Sequence, residues 1–362
     1  MSMIPEFHPL TIVAKEAETR DAVAVSFAVP SELRSRYAFT QGQFLTLRAE
    51  LDGEDVRRSY SICSAAGDDQ LTVGIKRVAD GRFSNHVFDR LQVGDSVEVM
   101  TPDGRFFTTL DSANRKHYVA FAAGSGITPV LSLIKTTLRA EPHSCFTLIY
   151  SNRSHDAVMF GENLWRLKDQ YLERLSLHFL FSREPQEIDL YQGRLDRQKC
   201  HDLFATVLPA NTINEAFICG PYDMIDAVTL VLREAGVGDE HIHAERFGTP
   251  VARTAHADVV RSEQESAAET AQVAIVLNGK ERRFALGFHG EPILDALLHL
   301  THDAPFSCQA GVCCTCRARV LSGEVVMDKN YTLQDDEIAQ GFVLTCQAHP
   351  RSALVRISYD ER

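Results

Sequence analysis

From Thr11 to about Phe107 apolar and polar positions alternate in short runs, "TIVAKEAETRDAVAVSFAV", "QFLTLRAEL", "LTVGIKRV" and "DSVEVM", broken by Gly, Asp and Pro. A period of two between turn residues predicts antiparallel strands, and a series of them predicts a β-barrel or sandwich. At His117 the rhythm changes to apolar strands ("HYVAFAA", "CFTLIYS", "LSLHFLF", "EAFICG") separated by amphipathic stretches such as "VLSLIKTTLRAE" and "MIDAVTLVLREAG". That alternation predicts crossover helices and a parallel sheet. The stretch "TPVARTAHADVVRSEQESAAET" is small, polar and without apolar period, and reads as a solvated linker. A third pattern follows: a strand pair turning at Asn278-Gly279, a helix over "ILDALLHLTH", a cysteine-rich loop and a strand over "CRARVLSGEV". The chain therefore divides into 1–112 (barrel), 113–249 (α/β), 250–271 (linker) and 272–362.

The length of 362 residues fits such a multidomain organisation. No apolar run approaches the roughly 20 residues of a membrane span, so a soluble chain is expected. "MSMIPEFHPL" lacks a basic segment followed by an apolar one, which makes the cytoplasm the expected location. A net charge of −12 with no basic run argues against nucleic acid or an anionic membrane as partner.

Four of the nine cysteines fall between Cys308 and Cys316. Cys308, Cys313 and Cys316 have the spacing C-x4-C-x2-C, with Cys346 further on in "VLTCQAHP"; this is the plant-type 2Fe-2S pattern. Ala310, Gly311 and Thr315 are small enough for backbone N–H groups to close over the sulfurs. Zinc is the competing metal, in a flavin-free interaction protein, although zinc usually takes paired C-x2-C or Cys/His motifs. Cys314 is out of phase with the ligands and is expected to be a small packed residue.

"FAAGSGITP" places Gly124, Ser125, Gly126, Ile127 and Thr128 between a strand and a helix opened by Pro129, where N–H groups can hold a diphosphate. A plain tight turn would use the same glycines. Cys219, Gly220 and Pro221, and Ser182 with Arg183, end later strands, and ligands of open α/β sheets lie at such ends. Ser182 and Arg183 would suit a 2′-phosphate, with Arg153 a second candidate; a solvated Ser-Arg pair is the alternative. In the first module, "RRSYSIC" sets Arg58 and Tyr60 on one strand face and Ser61 on the other, suited to a flavin phosphate and ring or simply to a half-buried strand. Gly81 and Ser84 in "DGRFSNHV" are expected at a loop turn that passes N–H groups to the same phosphates. Glu240 and His243 form one Glu-x-x-His match, whereas a di-iron bundle needs two such motifs, so the match is taken as coincidence.

With "RSYS", "GRFS", "GSGITP", "CGP", "HAERF" and "CQAGVCCTC" in this order, the chain resembles the ferredoxin-NADP reductase superfamily with a C-terminal plant-type ferredoxin domain. Through "AETRDAVAVSFAVP", "FTLIYSNR" and "NYTLQDDEIAQGFVLTCQA" it is most similar to reductases serving a di-iron oxygenase that acts on a CoA thioester. Reductases of 3-ketosteroid 9α-hydroxylase and of aromatic-ring Rieske oxygenases share the layout. The resemblance implies FAD, where the residues alone do not separate FAD from FMN, together with NADPH, a β-grasp 2Fe-2S domain and electron delivery to the oxygenase subunits. It implies that Arg58, Tyr60 and Ser61 meet the flavin diphosphate, ring and N5 edge, and that Gly81 to Ser84 help hold the phosphates. It places Gly124 to Thr128 and Cys219 by the nicotinamide nucleotide and Glu245 and Phe247 near the isoalloxazine, and it assigns Ser182 and Arg183 to a pair favouring NADPH. The linker would let the ferredoxin module move between flavin and partner.

Overall fold

The computed structural model describes residues 5–247, 270–301 and 304–361. The linker expected at 250–271 lies outside the described residues as far as 269, and its last two positions open a strand. The described residues form two compact units, Phe7–Phe247 and a second that holds the described residues from Thr270 onward.

In the larger unit, β1 (Phe7–Thr19), β2 (Ala22–Ala28), β3 (Phe44–Leu51), β4 (Glu54–Ser61), β5 (Leu71–Lys76) and β6 (Ser96–Met100) form one antiparallel sheet in the order β4-β3-β6-β1-β2-β5. A bridge between Ile62 and Val73 joins the two ends into a barrel. Alternation works as read from the sequence: Leu10 and Ile12, Val23, Val25 and Phe27, and Leu45 and Leu47 all point into one apolar core. Between β5 and β6 lies helix α1 (Arg82–Asp89). Its C-terminal end is held by Lys15, whose Nζ donates to the carbonyls of Val87, Phe88 and Leu91 at 2.8, 3.1 and 2.9 Å. A cation there satisfies orphan carbonyls and complements the helix dipole.

The second sheet of this unit is parallel: β7 (His117–Ala123), β8 (Cys145–Asn152), β9 (Leu175–Phe181), β10 (Glu215–Gly220) and β11 (Ile242–Arg246), in the order β11-β10-β7-β8-β9. Helices α2 (Ile127–Ala140), α3 (Gly161–Gln170), α4 (Arg197–Thr206) and α5 (Tyr222–Glu234) connect the strands. Two separate cores, one lined by α2 and α3 and one by α4 and α5, cover the two faces. The central strand β7 is consequently buried on both sides from Tyr118 to Ala122, which is why it reads as a continuous apolar run and does not alternate.

Barrel and parallel sheet are tied together. Lys135 Nζ of α2 donates to Cys63 O at 3.0 Å, Ala66 N donates to Thr136 Oγ1 at 3.0 Å, and the rings of Phe106 and Phe217 meet edge to face at 5.3 Å. Glu18 of the barrel accepts the backbone N–H of Phe160 at 2.9 Å, where Phe160 takes the left-handed conformation at φ 59°.

The smaller unit is a β-grasp. Strands β12 (Thr270–Leu277), β13 (Lys280–Gly287), β14 (Arg317–Ser322), β16 (Phe342–Leu344) and β18 (Leu354–Ser358) order as β13-β12-β18-β14-β16, with β12 and β18 parallel. Helix α6 (Ile293–Leu298) buries Ile293, Leu294 and Leu297 in the unit's core, β15 (Val325–Met327) pairs with β17 (Ala348–Pro350), and α7 (Asp335–Ala339) is a single capped turn. The β12–β13 hairpin turns at Asn278 and Gly279, both at positive φ (53° and 69°), the pattern that an Asn-Gly pair tolerates best.

Candidate functional site

The order of the parallel sheet reverses between β7 and β10, and a crevice forms outside the carboxyl ends of strands at such a point. Gly124 to Thr128 follow β7 and Cys219 to Pro221 close β10, so the two segments flank the reversal. Gly126 lies so close to the neighbouring strand that a Cβ would sit 2.0 Å from Cys219 O, and Gly124 takes φ 53°. The turn is held from within: Thr128 Oγ1 donates to Ser125 O at 3.0 Å, and Tyr150 OH donates to Gly124 O at 2.9 Å. Gly126, Ile127 and Thr128 are buried, which leaves Gly124 and Ser125 as the members of the turn with exposed surface.

Further along the same edge, Ser182 and Arg183 follow β9 and Arg153 follows β8. Ser182 N donates to Asn152 O at 3.0 Å and Arg183 N to Arg153 O at 2.8 Å, which brings the two arginines to adjacent loops. Both arginines are exposed, and among the described residues neither guanidinium has a hydrogen-bond or ion-pair partner. Two unpaired forked cations beside a nucleotide crevice are suited to a phosphate.

On β4, Arg58 is exposed and Tyr60 packs on the barrel core with its ring 6.0 Å from that of Phe83. Ser61 emerges on the opposite face, and its Oγ donates to Glu245 Oε2 at 3.3 Å. Glu245 pairs in register with Cys219 across β10 and β11, so Ser61, Cys219 and Glu245 meet at one place although they are far apart in sequence. Glu245 keeps some exposed area as a residue, but its carboxyl is enclosed, and burial pushes it up to about 8 against the Ser61 bond. Burial likewise holds the Cys219 thiol well above its ordinary range, with Glu245 adding to the rise. Phe247, next but one after Glu245, is 42% exposed.

Gly81 and Ser84 do not form the expected loop turn. Gly81 caps the N-terminus of α1 and Ser84 is inside its first turn, buried, accepting from Val78 N at 3.1 Å and donating to Gly81 O at 3.2 Å. The short amphipathic run "RFSNHVFD" closes a helix because its apolar Phe83 and Val87 lie four apart, on the face toward the barrel. The free N–H groups of a helix start serve an anion as a loop turn would. A Cβ at Gly81 would fall 2.6 Å from Ser84 Oγ and 2.9 Å from Val78 Cβ, so this cap requires glycine. Gly74 in mid-β5 is not among the expected site residues, yet a Cβ there would lie 2.4 Å from Thr128 Cγ2 and 3.0 Å from the Phe160 ring. A glycine inside a strand is the signal that would have found this close approach.

In the smaller unit, Cys308, Cys313 and Cys316 line the loop before β14. The antiparallel pairing of Arg317 with Leu344 carries on to Thr345 N, which donates to Cys316 O at 3.3 Å, and so delivers Cys346 to the same place. The sulfurs of Cys308 and Cys313, of Cys316 and Cys346, and of Cys308 and Cys346 lie within hydrogen-bonding reach of each other. Two linked pairs fit a binuclear cluster, and among the described residues no group of His, Cys, Asp or Glu converges on a single ion. The loop takes left-handed conformations at Gln309, Gly311 and Cys314 (φ 50°, 77° and 57°), which turn backbone N–H groups inward, and Ala310 N donates to Cys308 Sγ at 3.4 Å. Cys314 packs at the core's edge with Sγ 3.5 Å from Thr332 Oγ1. Glu240 and His243 do not converge: His243 Nε2 bonds Glu215 at 3.0 Å and Glu240 is exposed.

Three family models match in succession: an oxidoreductase FAD-binding domain at 9–108, an oxidoreductase NAD-binding domain at 121–229 and a 2Fe-2S iron-sulfur cluster binding domain at 275–351. A component of the 1,2-phenylacetyl-CoA epoxidase of Escherichia coli K12 is 43% identical over 98% of both chains. The chain belongs to the flavin- and iron-sulfur-containing oxygenase reductases. Among other members, the ferredoxin reductase component of 3-ketosteroid-9-alpha-monooxygenase from Rhodococcus rhodochrous is 35% identical over 97% of this chain and 96% of its own. A solved phthalate dioxygenase reductase shares the fold, with a TM-score of 0.57 at 24% identity over 97% of this chain and 98% of its own. As a member of this family the protein is an oxidoreductase with FAD, nicotinamide-nucleotide and 2Fe-2S domains, and the zinc alternative is set aside. No helix among the described residues is long and apolar enough to cross a membrane.

Proposed function

We propose that the protein is the reductase component of a phenylacetyl-CoA epoxidase, passing electrons from NADPH through FAD and its 2Fe-2S cluster to di-iron oxygenase subunits in cytoplasmic phenylacetate degradation. The observation that carries this reading is the 43% identity to the Escherichia coli epoxidase component, which extends over 98% of both chains. FAD, when bound, takes up a hydride and gives electrons singly to a 2Fe-2S cluster, which carries one at a time.

The residues divide the work by place. Arg58 and the N-terminus of α1 behind Gly81 and Ser84 offer positive charge and N–H groups to the flavin diphosphate, and Tyr60 offers an aromatic surface to its ring. Gly124 and Ser125, with Gly220 and Pro221 across the reversal point, receive the nicotinamide nucleotide, while Gly126, Ile127 and Thr128 hold that turn in shape. Ser61 and Cys219 line the position of hydride transfer. Ser61 Oγ lies 3.3 Å from a Glu245 carboxyl that burial keeps protonated near neutrality, so the pair can hold a proton beside the reacting atoms. The neutral Cys219 thiol packs there without adding charge, and Phe247 closes the end of β11. Arg153, Ser182 and Arg183 bind the 2′-phosphate and favour NADPH. Cys308, Cys313, Cys316 and Cys346 ligate the cluster.

A steroid-oxygenase client is the second reading, favoured by the 35% identity to the Rhodococcus component. Reconstitution separates them: the protein with NADPH should support oxygen-dependent turnover of phenylacetyl-CoA by a purified di-iron epoxidase. Support of a Rieske steroid oxygenase with equal efficiency would contradict the assignment.

A further inference from the structure

Cys346 comes to the cluster loop from a separate part of the chain, and its two neighbours fasten it there. Gln347 Nε2 donates to Gln309 O at 3.1 Å and to Cys346 O at 2.8 Å, joining the fourth cysteine to the Cys308 end of the loop. On the other side, Thr345 donates to Cys316 O through its backbone N–H at 3.3 Å and through Oγ1 at 3.0 Å. Behind Thr345 lies the Tyr359 hydroxyl, 2.6 Å from the same Oγ1.

The proton directions in this chain are fixed by chemistry. A carbonyl can only accept, so Thr345 donates to Cys316 O, and its oxygen then accepts from Tyr359. Thr345 and Tyr359 have no exposed surface, so water cannot replace either bond, and two linked bonds in a dry interior polarise one another. The phenol is itself anchored: Tyr359 N donates to Val276 O at 2.9 Å, and the adjoining Asp360 carboxylate accepts from Asn278 N and Gly279 N, each at 2.8 Å.

We infer that Thr345 and Tyr359 are positioning residues for the electron-transfer reaction, fixing the approach of Cys346 to Cys316 and raising the tendency of the cluster to accept an electron. Both O–H dipoles point their positive ends along the chain toward the Cys316 carbonyl, and an added negative charge on a cluster bound there is stabilised by that orientation. The inference rests on Cys308, Cys313, Cys316 and Cys346 being the ligands.

The test uses the full-length protein and its Thr345→Val, Thr345→Ser and Tyr359→Phe variants, with EPR-monitored reductive titration and the rate of cluster loss to a chelator as readouts. At the ambient potential that half-reduces the unaltered cluster, Thr345→Val should lower the reduced-to-oxidised ratio about tenfold, a shift of about 59 mV for one electron. Tyr359→Phe should lower it about threefold, since it removes only the outer bond. Thr345→Ser should behave as the unaltered protein. Cluster loss in Thr345→Val with retention in Thr345→Ser would also support the role. Unchanged potentials in Thr345→Val and Tyr359→Phe would overturn it, as would an unchanged Tyr359→Phe when neither Thr345 variant holds a cluster. A missing 2Fe-2S signal in the unaltered protein would instead defeat the ligand assignment beneath it.

Discussion

The cysteine loop and the nucleotide crevice solve the same problem, holding a redox group in place, by opposite means. The loop collects Cys308, Cys313 and Cys316, three of the four candidate ligands, within nine consecutive residues and shapes them with local left-handed turns at Gln309, Gly311 and Cys314. The crevice collects Ser61, Cys219 and Glu245 from strands up to 184 residues apart, and it depends on the reversal of strand order between β7 and β10. A site built locally fails through its ligands. A site built by topology fails through its packing, even where the altered residue carries no chemistry.

Replacing a ligand should give the largest effect. Cys346→Ser should abolish the reduced 2Fe-2S EPR signal while the flavin absorbance still bleaches with NADPH, because the flavin residues are in the other unit. Loss of flavin reduction as well would erase the contrast between the two sites. Next, Gly126→Ala should slow flavin reduction by about 100-fold in stopped-flow measurements, the effect of displacing a positioning element by about 1 Å. The new methyl would fall 2.0 Å from Cys219 O and must push the turn away, yet the cluster spectrum should not change. An unchanged rate would show that the crevice absorbs the added methyl without cost to its geometry.

Arg183→Ala should weaken NADPH about tenfold and leave NADH unaltered, the share expected of one charge-assisted contact; steady-state KM values for both nucleotides check it. The smallest effect is on pH dependence. Below about 4.5 the Glu245 carboxyl is protonated whether folded or unfolded, and no stability is lost. As pH rises toward about 8 the unfolded chain releases a proton that the folded protein retains, so stability falls, and the full loss is reached above that value. Thermal unfolding followed from roughly pH 5 to roughly pH 9 should show that decline, and Glu245→Gln should flatten it.

The same contrast explains what is legible in the sequence. Cysteine spacing and the Asn278-Gly279 turn are local, and each is readable from a few adjacent letters. The strand-end positions of Cys219 and Ser182 are readable because the alternation of strands and helices sets the sheet's edge. Gly81 to Ser84 read as a loop because an eight-residue helix offers too few turns for its period to show. Gly74, Glu18 and Tyr359 escape a reading by letters because their importance lies in what another element brings against them: Thr128 and Phe160 on Gly74, Phe160 on Glu18 and Thr345 on Tyr359. Thr128 lies in the turn as expected, but its hydroxyl is spent on Ser125 O, a detail of rotamer that letters do not carry.

The most direct test is anaerobic titration of the purified protein with NADPH and, separately, NADH, followed by visible absorbance and low-temperature EPR. Flavin and cluster bands should both bleach, a rhombic reduced 2Fe-2S signal should appear, and reduction by NADPH should be the faster. Flavin bleaching without any cluster signal would contradict the electron path, and faster reduction by NADH would contradict the role given to Arg153, Ser182 and Arg183.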